Sequence, residues 1–207
     1  MSAKAEQTFL IDGPAGSLEV AIARREDSDA VAVICHPHPL HGGTMHNKVV
    51  HTLMRAARDQ GASTVRFNFR GVGGSTGEHA DGEGEVEDCL AVIRWAQDNL
   101  QISRLWLMGF SFGGYVAAAA ACRLSDWPAQ LLLVAPSVER LPFADLLPLG
   151  GPASVMMGEA DEVVASDAVF SLLEGRDAID MERFPDTGHF FHGRLVELKE
   201  AVEARLA

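Results

Sequence analysis

The chain has 207 residues, 47% of them hydrophobic and 22% charged. That balance excludes a disordered chain, which lacks the apolar surface needed to offset the entropy of ordering. At roughly 100–200 residues per domain, the length predicts a single domain over residues 1–207. The 17 Lys and Arg against 29 Asp and Glu leave a net charge of −12, so a nucleic-acid partner, which calls for a basic face, is not expected.

No apolar stretch approaches the ~20 residues that span a bilayer, so no membrane partner is expected either. The opening MSAKAEQTFL holds no apolar run of signal-peptide length, which predicts a cytoplasmic address. Cys35, Cys89 and Cys122 form no C-x-x-C pair and read as reduced thiols. Nothing in the composition bears on oligomeric state.

In chain order, the first 25 residues read as a hairpin, Gln7–Ile11 and Ser17–Ala23, around Asp12-Gly13-Pro14. Short apolar runs then alternate with helical patterns. AVAVIC (Ala30–Cys35), STVRFNF (Ser63–Phe69), RLWLMGF (Arg104–Phe110), QLLLVAP (Gln130–Pro136) and ASVMMG (Ala153–Gly158) have strand length and near-continuous apolar content, as strands covered on both faces must. AIDMERF (Ala178–Phe184) alternates more and suits a sheet edge. Between the runs, Val49, Leu53 and Ala57 make one helical stripe and Val86, Leu90 and Ile93 another. Leu195, Leu198, Val202 and Leu206 repeat at three- and four-residue steps near the C-terminus. Alternating strand and helix implies parallel βαβ units with right-handed crossovers.

The stretch Gly109-Phe-Ser111-Phe-Gly113 fits G-x-S-x-G between a strand pattern and an alanine-rich helix pattern (Ala117–Ala121). Turning from strand to helix within one residue strains the serine backbone and exposes its Oγ, and a side chain at 109 or 113 collides with the neighbouring elements. The five-residue pattern alone also fits an ordinary glycine–serine turn; its placement favours a nucleophile. A phosphate loop is excluded because Tyr115, not lysine, follows Gly114.

A hydroxyl needs a base. His189, in PDTGHFFHG after the last strand pattern, belongs to a loop that converges with Ser111 at the carboxyl edge of a parallel sheet. His192 is its local rival, assigned to the start of the final helix in a solvated or capping role. The carboxylate that orients the base belongs after another strand, between serine and histidine in chain order. Gly158-Glu159-Ala-Asp161-Glu162 supplies the candidates; Asp161 is preferred for its short side chain, and Glu159 and Glu162 read as surface charges.

Residues Cys35–Asn47 (CHPHPLHGGTMHN) follow the first central strand and carry His36, His38, His41 and His46. A metal reading competes with a backbone one, in which the loop presents a main-chain N–H to a tetrahedral intermediate alongside the N–H of Phe112. Pro37 and Pro39 cannot donate, which leaves His38, the preferred donor, or Leu40; Gly42 and Gly43 allow a sharp return before a helix opening near His46. Arg70–Gly77 (RGVGGSTG) falls short of a dinucleotide fingerprint and reads as a flexible rim loop.

With these residues placed, the chain resembles the α/β-hydrolase superfamily, and within it the small lidless serine hydrolases that carry an H-P-H-P-L-x-G-G-T-M-x-N-K segment, here His36–Lys48. The stretches Phe69–Gly77, Gly109–Gly114 and Gly188–Gly193 are similar too. The resemblance implies a mostly parallel sheet of about eight strands with helices on both faces. Ser137–Pro152, the place where many relatives insert a cap, is too short for one. It also implies a serine esterase acting on a small-molecule ester through Ser111, His189 and Asp161, with Phe112 and His38 as oxyanion donors and no metal or organic cofactor.

Overall fold

The computed structural model describes residues 5–100 and 102–206. The N-terminal hairpin forms from β1 (Gln7–Gly13) and β2 (Gly16–Ala23), paired antiparallel with Gly13 opposite Gly16. The turn residues are therefore Pro14 and Ala15, and β1 runs two residues further and β2 begins one residue earlier than the sequence suggests. The central strands follow as β3 (Ala30–Cys35), β4 (Ser63–Phe67), β5 (Arg104–Phe110), β6 (Gln130–Val134), β7 (Ala153–Gly158) and β8 (Ile179–Phe184). Two of them stop two residues short of the apolar runs. Asn68 and Phe69 leave β4 because their N–H groups turn to Glu19 O and to the His36 ring, and Ala135 leaves β6 at φ 44°.

The eight strands form one sheet in the order β1-β2-β4-β3-β5-β6-β7-β8. The β2–β4 pair is antiparallel, and β4, β3, β5, β6, β7 and β8 are mutually parallel. Every residue of β3, β4 and β7 is buried, whereas β8 is mostly half-exposed at its edge, as its alternating sequence requires.

The helices are α1 (Lys48–Asp59), α2 (Glu83–Leu100), α3 (Phe112–Arg123), α4 (Ser166–Leu173) and α5 (Leu195–Leu206). The crossover β3–α1–β4 steps one way along the sheet, whereas β4–α2–β5 and β5–α3–β6 step the other. Right-handed connections therefore put α1 on one face and α2 and α3 on the opposite face. The packing agrees, with α1 against α5 and α2 against α3. Ala117–Ala121 are all buried, and their small side chains let α3 lie close on β5 and β6.

The reversal of direction makes a switch point between β3 and β5, neighbours whose following loops part on opposite faces and leave a crevice at the carboxyl edge. No cap covers it. Between β6 and β7 the chain forms only a short 3₁₀ turn, Phe143–Leu146.

The segment after β4 is not the flexible rim its glycines suggest. Gly74 N–H donates to Glu19 Oε2, Thr76 N–H donates to Ser17 O, and the Ser75 hydroxyl both accepts from Glu19 N–H and donates to Asn68 O. These bonds extend the β2 edge and tie the loop to it. Arg70 anchors the same segment to α2: its backbone N–H and side chain donate to both oxygens of the fully buried Asp88, at 2.7–3.1 Å. Removing one partner of a buried pair leaves the other charge uncompensated. Asp88→Ala is therefore expected to cost about 3–5 kcal/mol, read as a lower urea midpoint.

Candidate active site

Ser111 sits at the junction of β5 and α3 with φ 56° and ψ −117°, outside the regions that L-residues favour. Four backbone hydrogen bonds hold it there: Ser111 N–H donates to Val134 O (2.9 Å), and its carbonyl accepts from Gly114 N–H (2.9 Å), Ser137 N–H (3.1 Å) and Tyr115 N–H (3.4 Å). Its hydroxyl does not cap α3. A Cβ on Gly109 would stand 2.0 Å from Gly113 O, and one on Gly113 would stand 2.4 Å from Cys35 O and 2.5 Å from His36 O. The bend therefore exists only because both positions lack side chains, and α3 begins directly against the end of β3.

His189 and Asp161 meet. The imidazole Nδ1 lies 2.7 Å from Asp161 Oδ2, and the two side chains are 2% and 0% exposed. Asp161 is fixed in turn, because its Oδ1 accepts from Val163 N–H and Val164 N–H, each at 2.8 Å. The loops after β7 and β8 approach closely enough for this through glycine: a Cβ on Gly158 would stand 2.2 Å from Thr187 O. Ala160 N–H donates to the same carbonyl at 3.1 Å. The His189 ring packs on Phe110, the residue before Ser111, at 4.9 Å between centroids.

Two expectations for this region need correction. Glu162 is more than a surface charge, since its Oε2 accepts the His189 N–H at 3.2 Å and faces Gly188. His192 precedes α5 rather than opening it, and its exposed ring stacks on Phe190 at 5.8 Å. Glu159 is exposed and faces Arg183 across 3.7 Å, as a surface charge does.

The loop after β3 engages the backbone of one of its two candidate donors. Leu40 N–H is committed to His38 Nδ1 at 3.2 Å. His38 carbonyl accepts from His41 and Gly43 N–H, which makes the tight return, and the His38 ring lies 4.8 Å from that of Phe112. Helix α1 opens at Asn47, which caps Val49 N–H. Among the described residues, no group of three or more His, Cys, Asp or Glu side chains is placed to hold a metal ion.

Three buried residues support the loop: His36, whose role differs from the metal ligation weighed for it, and Asn68 and Arg66, which the sequence did not single out. His36 is fully buried; its Nε2 accepts from Phe69 N–H (3.0 Å), so Nδ1 carries the proton and donates to Pro37 O (2.6 Å). Asn68 Oδ1 accepts Met45 N–H, and Arg66 Nη1 donates to Met45 O, so both backbone groups of buried Met45 are held from below. Arg66 is balanced by Glu6, whose two oxygens accept from Nη2 at 2.5 and 2.6 Å. For Asn68 and Arg66 the signal in the sequence was polar residues inside an otherwise apolar strand run, STVRFNF.

The three cysteines are free thiols, with Cys35 and Cys89 buried and their sulfurs 3.5 Å apart. Among the described residues no helix is long and apolar enough to cross a membrane.

An eight-stranded sheet with a strained serine at the β5–α3 turn and an Asp–His pair on the loops after β7 and β8 defines a hydrolase architecture. Comparison with known proteins agrees: the α/β-hydrolase fold family matches residues 40–145. An uncharacterised protein of Rickettsia prowazekii is 33% identical over 201 residues, covering 92% of this chain and 84% of that one. The structure of an α/β serine hydrolase homologue from Coxiella burnetii is 44% identical with a TM-score of 0.92, over 100% of this chain and 99% of that one. A Xanthomonas campestris α/β serine hydrolase without a lid is 38% identical with a TM-score of 0.90, over 100% and 95%. The chain belongs to the α/β-hydrolase fold family, and these relatives indicate a hydrolase.

Burial also sets a pH dependence. Desolvation lowers the His36 pKa from 6.5 to about 3. Between those values the unfolded chain binds a proton that the folded chain refuses, so stability is fully present above pH 6.5 and falls as the pH drops toward 3. At about 1.4 kcal/mol per unit, this one group accounts for several kcal/mol over the window. Replacing it with His36→Gln, which keeps an acceptor for Phe69 N–H, should flatten the decline. Urea unfolding of both proteins at pH 6.5 and 4 reads the difference.

Proposed function

We propose that the chain is a serine carboxylic-ester hydrolase with Ser111 as nucleophile, His189 as base and Asp161 as the group that orients it. The observation that carries this reading is the buried 2.7 Å contact between Asp161 and His189, with the imidazole packed on the residue next to the strained serine. Ser111 Oγ attacks the ester carbonyl and passes its proton to His189 Nε2. Asp161 accepts from Nδ1–H and stabilises the imidazolium. The imidazolium then protonates the departing alcohol, leaving an acyl-serine. Water, deprotonated by the same nitrogen, attacks that ester and returns the enzyme and a carboxylic acid.

The oxyanion of each tetrahedral intermediate takes hydrogen bonds from Phe112 N–H, at the free amino end of α3, and from His38 N–H. The engagement of Leu40 N–H by the His38 ring supports His38 as the donor from its loop. The route uses protein groups and water alone. The short β6–β7 connection supports an open site for small or extended acyl esters.

Ser111→Ala should lower kcat on p-nitrophenyl acetate by ~10⁴–10⁶, with Asp161→Asn losing ~10⁴ while the fold is kept. A fluorophosphonate probe should label the wild type at Ser111 and leave the alanine variant unmodified. Folded wild type that neither turns over the ester nor takes the probe would sink the reading in favour of a binding module.

A further inference from the structure

The histidines of this chain occupy residues 36–51, 79 and 189–192, on the segments that follow β3, β4 and β8. Beside the His189 loop, a cavity of about 340 Å³ opens between the turn after β3, the first turn of α1 and the segment after β8. His46, Lys48, Phe190 and His192 line it, and no Asp or Glu is among its lining residues. In a chain with a net charge of −12, a concave surface that offers an ammonium and two imidazoles and no carboxylate is a local inversion of sign. Of the acids that touch the His189 loop, Asp161 is turned to the imidazole and Glu162 to the His189 N–H.

Lys48 sharpens the point. It is the first residue of α1, whose first turn contains no acid, so it stands at the positive end of the helix dipole, where a cation is disfavoured. No carboxylate pairs with it among the described residues. Phe190 supplies the apolar wall: its ring stands edge-on to His189 at 5.0 Å and lies parallel to His192 at 5.8 Å. The cavity thus begins one residue from the proposed base.

We propose that this cavity is a substrate subsite that binds a carboxylate carried by the ester, so that the enzyme prefers esters with a free acid group on the acyl or the alcohol half. The inference rests on the hydrolase reading for the position of the scissile bond. The carboxylate pairs with the Lys48 ammonium and accepts from the N–H groups of His46 and His192, while the carbon skeleton lies on Phe190. The acid-free ester of the same size gains only the apolar contact.

Two matched pairs test it and separate the sources of the charge. Monomethyl adipate against dimethyl adipate places the acid on the acyl half; 4-acetoxybenzoate against phenyl acetate places it on the alcohol half. At low ionic strength, kcat/KM for the anionic member of one pair should exceed that of its neutral partner at least tenfold, and 0.5 M salt should shrink the ratio, since exposed charges are screened. Lys48→Glu should cut the ratio at least tenfold and Lys48→Met by less. An acid in the first turn is favoured by the dipole, so the melting temperature of Lys48→Glu should not fall, which sets the effect apart from unfolding. Equal rates within both pairs, or a preference that Lys48→Glu leaves intact, overturns the proposal.

Binding supplies an arm that is independent of turnover. Adipate and 4-hydroxybenzoate, titrated into Ser111→Ala and followed by the histidine ring resonances, should bind and should weaken at least tenfold when Lys48→Glu is added. Absence of turnover with this binding retained would count against the hydrolase reading alone. Absence of binding with neutral-ester turnover retained would count against the subsite alone.

Discussion

One backbone conformation governs the rest of the molecule. Ser111 is held at positive φ, where a residue with a side chain sits at a cost of about 1–3 kcal/mol. Such a conformation persists only where its surroundings leave no alternative. Here β6 provides Val134 O and the segment after it provides Ser137 N–H, while the bare faces of Gly109 and Gly113 let β5, α3 and β3 touch backbone to backbone. The alanine body of α3 follows from the same constraint, because a helix that begins in contact with the sheet has no room for larger side chains along that face.

The opposing wall of the crevice is built on a different principle. The loop after β3 carries two prolines and two glycines and has little regular structure to satisfy its backbone groups, so buried side chains satisfy them. His36 joins the start of the loop to Phe69, and Asn68 and Arg66 hold its far end at Met45. A buried arginine and a buried neutral histidine are expensive to desolvate, and each is worth its place because the loop ends it fixes are what bring His38 beside Phe112. Specific positioning at this edge of the sheet is obtained from polar groups that a purely apolar core would not need.

This division explains what could be read from the chain in advance. Strand and helix positions followed from apolar periodicity, which is local, and the proposed order Ser111, Asp161, His189 followed from the expectation that each stands after a parallel strand. The residues that escaped are those whose meaning depends on distant partners. Arg66 in a strand run gives no hint that Glu6 and Met45, 60 and 21 positions away, accept from its guanidinium. The glycines of Arg70–Gly77 suggested mobility, yet Glu19, Ser17 and Asp88 pin the segment. Glu162 looked like a surface charge because nothing nearby in the sequence announces the His189 N–H it accepts. The ends of β4 and β6 were overextended for a related reason: the apolar run continues into the core after the backbone has left the ladder.

The absence of a cap then shifts a task onto side chains. An enzyme with a lid excludes water from its charge pair by closing over it. This fold has only the Phe143–Leu146 turn between β6 and β7, yet Asp161 and His189 are almost wholly buried. The shielding comes from within: Phe110 lies against the imidazole from the β5 side, Phe190 meets it edge-on, and both oxygens of Asp161 are engaged, one by the ring and one by two backbone N–H groups. A permanently desolvated pair strengthens the electrostatic hold on the imidazole without any closing motion. It also frees the mouth of the crevice to be lined by polar residues, because the dry environment the pair requires is already built beneath them.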